Sequence, residues 1–85
     1  MSNAIYVHDG AIVELWLKSL SIDGEARVKK YLISDNSLIR GRYDKRAGLN
    51  TPLARAIMGK PVGYECSYEV GEYETLVKIL SIKDS

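Results

Sequence analysis

Apolar and polar residues alternate along the first third of the chain, and this alternation predicts two strands. In residues 12–20, apolar side chains recur at every second position from Val13 to Leu17, the period of a strand that buries one face. The pair Asp23-Gly24 is a strong hairpin-turn signal. Residues 26–33 follow as a second strand, with its apolar half at the C-terminal end. The chain is therefore expected to open with a hairpin.

A second hairpin is predicted near the C-terminus. After Gly63, polar residues alternate with four side chains that share one strand face, namely Tyr64, Cys66, Tyr68 and Val70. Gly71-Glu72 marks a tight connection. The final strand runs from Tyr73 to Ile82, with a bulge near Leu80. We expect its inward-facing residues to be Val77, Ile79 and Ile82.

The middle of the chain has a weaker pattern. Residues 34–48 are polar and show no clean period. The triplet Asp35-Asn36-Ser37 has the composition of a turn, and residues 40–46 form a basic loop. Residues 47–50 are expected to pair briefly before the next element.

A short helix with both ends marked comes next. Thr51 can cap the free amides of the first turn, and Pro52 suits the first helical position because its missing N–H costs nothing there. Leu53 and Ile57 fall on one face, and Gly59 lies where a left-handed residue ends a helix. With four principal strands, these elements predict an α+β fold, an antiparallel sheet with a helix on one face.

Length and composition indicate one small domain. We place it at residues 5–85 of the 85-residue chain, because residues 1–4 look like a cloning remnant. The net charge of +1 gives no general attraction to nucleic acid or to a membrane surface, and we expect no sequence-specific nucleic-acid binding. No apolar run reaches the roughly 18 residues of a membrane span, and no signal-peptide pattern opens the chain. The single cysteine cannot form an internal disulfide, so a cytoplasmic location is expected.

Side chains that could carry catalysis or bind a metal are scarce. One histidine, His8, and one cysteine, Cys66, cannot supply a zinc site by themselves. We interpret His8 as a surface residue and Cys66 as a small buried hydrophobe. Gly59-Lys60 is followed by Pro61 and not by Ser or Thr, so it is not a phosphate-binding loop. We therefore expect no catalytic residue, no metal and no cofactor.

Three features leave alternatives open. The basic loop, residues 40–46, is either solvated, with its charges offset by Asp35 and Asp44, or it contacts an acidic protein surface or nucleic-acid phosphate; we favour the first. Trp16 lies on the polar side of its strand, where it marks an interface or is covered by a loop. Three tyrosines either form an exposed patch or pack with their hydroxyls at the rim, namely Tyr64, Tyr68 and Tyr73.

The segment from Leu49 to Gly63 resembles, almost position for position, a segment of the Gre-type bacterial transcription elongation factors. There, Ser-Pro-x-Ala-x-Ala-Leu runs into Gly-Lys-x-Val-Gly. Further matches are the start at residues 10–15, the pair Gly24-Glu25 and the ending at residues 79–82. The resemblance covers about residues 10–82 and is to the C-terminal domain of that family. It implies the FKBP-like fold, a twisted antiparallel sheet of about four strands packed on one short helix.

The resemblance also implies a partner. In Gre-type factors this domain docks on RNA polymerase at the rim of the secondary channel, and the Ser-Pro loop lies at the contact. Carried over to this sequence, the partner-binding residues are Asn50, Thr51, Pro52, Leu53 and Arg55. Gre factors stimulate transcript cleavage through an N-terminal coiled coil, and no heptad run precedes Ile12. We therefore expect a docking function and no enzymatic activity from these residues.

Two other functions stay open. One is an FKBP-like protein-interaction module appended to another nucleic-acid machine, such as a helicase or a nuclease. The other is peptidyl-prolyl isomerisation, which FKBP-like domains perform in a pocket lined by several aromatic rings. The chain has no Phe and only one Trp, so we place the isomerase last.

Overall fold

Among the residues that the structure describes, five strands form one sheet, and one short helix packs on its inner face; the opposite face is called the outer face. The computed structural model describes residues 5–20 and 25–84. The elements are β1 (Ala11–Ser19), β2 (Arg27–Ile33), β3 (Lys45–Ala47), α1 (Pro52–Ile57), β4 (Glu65–Val70) and β5 (Tyr73–Asp84). The strand order in the sheet is β3-β2-β1-β5-β4, so β1 is central. The predicted α+β class is confirmed.

Both predicted strand pairs are present. Strand β1 pairs antiparallel with β2, and β4 pairs antiparallel with β5. The second hairpin turns through Gly71-Glu72 between the paired residues Val70 and Tyr73. Gly71 has a φ of +62°, a conformation that favours glycine. The turn predicted at Asp23-Gly24 and the segment 1–4 lie outside the described residues.

The predicted bulge lies at Leu80. On β1, the adjacent residues Glu14 and Leu15 pair with Ser81 and Ile79 of β5, so Leu80 is the extra residue. Because of this extra residue, Ile82 faces the inner side of the sheet as Ile79 does, although three positions separate them.

The predicted sheet was wrong in two respects: it has five strands, and it is mixed. Strand β3 pairs parallel with β2, with Tyr31 opposite Lys45 and Ile33 opposite Ala47. Two of its three residues, Lys45 and Arg46, were assigned to the basic loop. The pairing expected for residues 47–50 is present only at Ala47, the last residue of β3. A three-residue edge strand with two charged side chains has too few positions to show a period of two, so local pattern could not give its bounds.

The core lies between α1 and the inner face. It is formed by side chains from every element except β4, together with the segment before β1: Val7, Ala11, Val13, Leu15, Ile33, Ala47, Leu53, Ala54, Ile57, Val77, Ile79 and Ile82. The three predicted inward residues of β5 are all buried. Val70, predicted to share a strand face with Tyr64, Cys66 and Tyr68, is 54% exposed because it lies at the end of β4, beside the turn.

Part of the outer face is covered by residues 34–44, which we call the crossover segment because they join the parallel strands β2 and β3. Leu32, on the outer face opposite Ile12, is fully buried. The crossover segment approaches Ile12 so closely that a Cβ on Gly41 would lie 2.6 Å from the Ile12 Cδ1 atom. A larger residue at position 41 would therefore require the terminal methyl of Ile12 to shift.

Candidate functional site: the entry of the helix

The first turn of α1 is capped as the sequence predicts. The Oγ1 atom of Thr51 accepts a hydrogen bond from the Ala54 N–H at 3.3 Å, and Pro52 occupies the first turn. The same hydroxyl donates to the Gly48 carbonyl at 2.7 Å. One side chain thus ties the first turn of the helix to the loop before it.

The loop before the helix is also attached to the end of β2. The Oδ1 atom of Asp35 accepts a hydrogen bond from the Leu49 N–H at 2.8 Å. A Cβ on Gly48 would lie 2.9 Å from that same Oδ1 atom, so the carboxylate approaches the loop closely. The chain therefore enters α1 along a path fixed by two side chains, Thr51 and Asp35.

The five predicted partner-binding residues divide into two groups. Asn50, Pro52 and Arg55 are exposed, and Thr51 is half-buried. Within the described ranges, Arg55 makes no side-chain hydrogen bond or ion pair. Leu53, in contrast, is only 6% exposed and belongs to the core. The surface that a partner can contact is therefore Asn50, Pro52 and Arg55 with the outer part of Thr51, and we call it the helix-entry surface.

The other end of α1 is held by the segment before β1. Gly59, with a φ of +78°, ends the helix as predicted. Its N–H donates to the Val7 carbonyl at 2.9 Å, and the Val7 N–H donates to the Lys60 carbonyl at 2.9 Å. Lys60 extends its ammonium over the Tyr64 ring, 5.1 Å from the centroid. Both ends of the six-residue helix are thus anchored by contacts outside it.

We expect the Thr51→Val variant to lose about 1 kcal/mol of folding free energy, because valine keeps the shape of threonine but cannot cap the first turn. The measurement is the free energy of unfolding in urea, followed by circular dichroism. Thr51→Ser is the matched control, since it retains the hydroxyl, and its stability should stay close to that of the unchanged protein. Equal losses in the two variants would contradict a capping role.

His8 and Cys66 take no part in the helix-entry surface. The exposed His8 has a raised pKa, mainly because its Nδ1 lies 3.0 Å from the Asp9 carbonyl oxygen and hydrogen-bonds to it. The Asp84 carboxylate, 2.6 Å from Nε2, raises that pKa further. Burial raises the pKa of the Cys66 thiol, which packs against the core and so remains protonated at neutral pH. Among residues 5–20 and 25–84, no three His, Cys, Asp or Glu side chains cluster as a metal site.

The acidic residues expected to offset the basic loop have other partners. The Oδ2 atom of Asp44 accepts a hydrogen bond from the Lys30 N–H at 2.9 Å, and Asp35 bonds the Leu49 N–H. Neither carboxylate forms an ion pair with the basic side chains in the described part of the chain. Arg40, Arg42, Lys45 and Arg46 are exposed, so the solvated interpretation of the loop stays a prediction, without ion pairs to Asp35 or Asp44.

The remaining aromatic residues are divided between core and surface. Tyr64 and Tyr68 pack against the core, whereas Tyr73 is exposed at the end of the second hairpin. Trp16 is half-buried on the outer face, between Val28 of β2 and Lys78 of β5. Packing is thus the role of two of the three tyrosines.

Sequence reasoning did not group Lys29, Lys30 and Lys83 with the basic loop. These lysines lie on β2 and β5, and they meet Arg42 only because the crossover segment folds onto the outer face. The strand pairing that brings them together involves residues far apart in sequence, so no local motif marks it.

Comparison of the sequence with models of known protein families finds no match, and comparison with curated proteins finds none either. Among the described residues, no helix is long and apolar enough to cross a membrane. The fold and the helix-entry surface define an α+β domain with an exposed, rigidly held helix start.

Proposed function

We propose that this domain docks on bacterial RNA polymerase through the helix-entry surface, as the C-terminal domain of Gre-type elongation factors does at the rim of the secondary channel. The observation that carries the proposal is the fixed helix entry. Thr51 and Asp35 hold the loop, while Asn50, Pro52 and Arg55 stay exposed. Because its backbone is already held in place, this loop loses little backbone conformational entropy on binding, which favours affinity.

The proposal includes the FKBP-like fold, a cytoplasmic location and a role in transcription elongation. The capped helix on one face of a twisted sheet is compatible with that fold, and the parallel strand β3 is an addition to the antiparallel core of β2, β1, β5 and β4. Three surface cavities formed by the described residues have at most one aromatic ring each, and neither Trp16 nor Tyr68 lines them. This arrangement gives no support to the isomerase alternative.

Binding to bacterial core RNA polymerase, measured by biolayer interferometry, tests the proposal. We expect the Pro52→Ala/Arg55→Glu variant to bind at least about tenfold more weakly, because exposed arginine and proline anchors are removed from the contact. Leu53 is left unchanged, since its replacement would disturb the core. Lys60→Glu, at the other end of α1, reverses one charge in the same way and should leave binding unaltered.

Two results would reject the proposal. One is the absence of binding by the unchanged domain, which would favour the interaction-module alternative. The other is an equal loss of binding in Lys60→Glu, which would show that net charge and not the helix-entry surface determines the affinity.

A further inference from the structure

Charge is distributed unevenly between the two edges of the sheet. Residues 25–46, which include β2 and β3, carry seven basic and three acidic side chains, a net charge of +4. Residues 65–74, which include β4, carry four acidic side chains and no basic one, a net charge of −4. Because β3 and β4 are the opposite edge strands, the overall charge of +1 conceals one basic and one acidic edge. A nearly neutral composition therefore does not exclude a polyanionic partner.

We define the basic edge as six basic side chains of β2, β3 and the crossover segment, namely Arg27, Lys29, Lys30, Arg40, Arg42 and Lys45. In the parts of the chain that the structure describes, none of them forms an ion pair. Arg46 is left out because it donates a hydrogen bond to the Ser34 carbonyl at 3.0 Å. Within residues 5–20 and 25–84, the basic edge thus presents six positive charges that no neighbouring carboxylate pairs with.

Grooves lie on both faces of the sheet along this edge. On the outer face, a groove of about 470 Å³ is lined by Lys30, Arg42 and Lys83 beside the carboxylates of Glu14 and Asp84. It adjoins a second cavity that Tyr43 lines. On the inner face, a cavity of about 310 Å³ is lined by Arg27, Lys29 and Lys45 beside Glu25 and Tyr31. Lys29 also borders the outer cavity that Tyr43 lines. Each face therefore combines three basic side chains with a nearby tyrosine.

We propose that the basic edge binds the phosphate backbone of a nucleic acid without reading its sequence. A chain of repeated phosphates can contact the basic side chains on both faces at once, whereas a single small anion would occupy one cavity. Tyr43 adds a ring surface on which a base can stack, whereas Tyr31 packs partly against the core and offers only its exposed part. The ring of Tyr43 is held in place, since its hydroxyl donates to the Ile39 carbonyl at 2.8 Å.

An acidic peptide that adds a strand to β2 fits this edge less well. Strand addition needs several free backbone groups in a row. Asp44 already bonds both the N–H and the carbonyl of Lys30. Backbone groups alternate between the two sides of a strand, so those of Arg27 and Lys29 point toward β1. Among the described residues from Arg27 to Lys30, Val28 alone has a backbone N–H and carbonyl free on the open side. This exposed edge of β2 is therefore too short for a paired peptide.

The acidic edge at β4 should repel the same nucleic acid, so the domain would be oriented with β4 pointing away from the phosphates. The basic edge and the helix-entry surface have no residue in common, and the nucleic-acid proposal does not depend on docking to RNA polymerase. Its experiment accordingly uses the domain without polymerase, so that either proposal can fail alone.

The test is fluorescence anisotropy with a labelled oligothymidylate and a labelled DNA duplex over a series of salt concentrations. For three or four phosphate contacts, log affinity for the single strand should fall with log salt with a slope of about −2 to −3. We expect Lys30→Glu/Arg42→Glu to weaken binding at least about tenfold at low salt. Lys18→Glu/Lys60→Glu is the matched control, because it changes the net charge equally and lies outside the grooves.

A selective loss in Lys30→Glu/Arg42→Glu supports the proposal, whichever of the two nucleic acids binds better. Three outcomes overturn it: no binding to either probe at low salt, an equal loss in the control variant, or tighter binding of polyglutamate than of oligothymidylate under the same conditions. The last outcome would assign the edge to an acidic protein partner. Circular dichroism of both variants checks that they are folded.

Discussion

Replacing Leu15 with alanine is expected to lower the free energy of unfolding by about 3 kcal/mol, within the range of roughly 2 to 5 kcal/mol typical of buried leucines. Leu15 is fully buried in the central strand β1, between its pairing partners Lys29 and Ile79. Because β2 and β5 pair with β1 on both sides, its backbone cannot move to fill the cavity that the shorter alanine side chain would leave. A domain of this size has about 5 to 10 kcal/mol of total stability, so the variant should unfold at a much lower urea concentration.

Leu38→Ala makes the same chemical change at a position that is 84% exposed in the crossover segment, and it serves as the control. Its free energy of unfolding should change by about 0.5 kcal/mol or less. Similar losses at Leu15 and Leu38 would mean that β1 does not occupy the centre of the core.

Replacing Ala54 with glutamate should destabilise the domain by about 3 kcal/mol or more, because it puts a carboxylate into an apolar core. Ala54 is fully buried on the side of α1 that faces the sheet. The buried cluster around it, as far as the structure describes it, consists of aliphatic side chains without a basic partner. The helix must move outward or the carboxyl must take up a proton, and both cost stability. Urea unfolding at two pH values measures the effect.

The pH dependence has a definite sign. Burial would raise the pKa of the introduced carboxyl at position 54 above its unfolded value of about 4.3. The loss of stability is therefore complete when the pH lies above the folded-state pKa. It becomes smaller as the pH falls toward about 4, because the carboxyl is then neutral in the folded state and largely neutral in the unfolded state. Arg55→Glu places the same acid on the next, exposed residue, and its stability should stay near that of the unchanged protein. A loss as large in Arg55→Glu would reverse the assigned faces of α1.

The parts of the fold that could be predicted are those encoded in adjacent residues. The period of two in β1, the Thr51-Pro52 start of α1 and the left-handed Gly59 each depend on local chemistry, and each is present in the structure. Even the bulge at Leu80 has a local signal, because two apolar inward residues of β5 are separated by three positions.

The parts that could not be predicted depend on contacts between distant residues. Strand β3 exists because β2 offers it a partner, and Lys45 and Arg46 carry no strand signal of their own. Leu53 was assigned to the partner contact through the family resemblance, although its spacing from Ile57 puts both on one apolar face of α1, and the structure buries that face against the sheet. The grooves along the basic edge likewise form only after the crossover segment has folded onto β1.

The bulge at Leu80 makes β5 tolerant of a change in chain length at one point only. Residues 77–79 and residues 81–84 keep their own partners on β1 on either side of Leu80. Losing that single residue would therefore turn β5 into a regular strand without moving Ile82 out of the core. Losing a residue elsewhere in the paired part of β5 would exchange the inner and outer faces of everything beyond it. A variant that lacks residue 80 should thus keep the same core and the same surfaces.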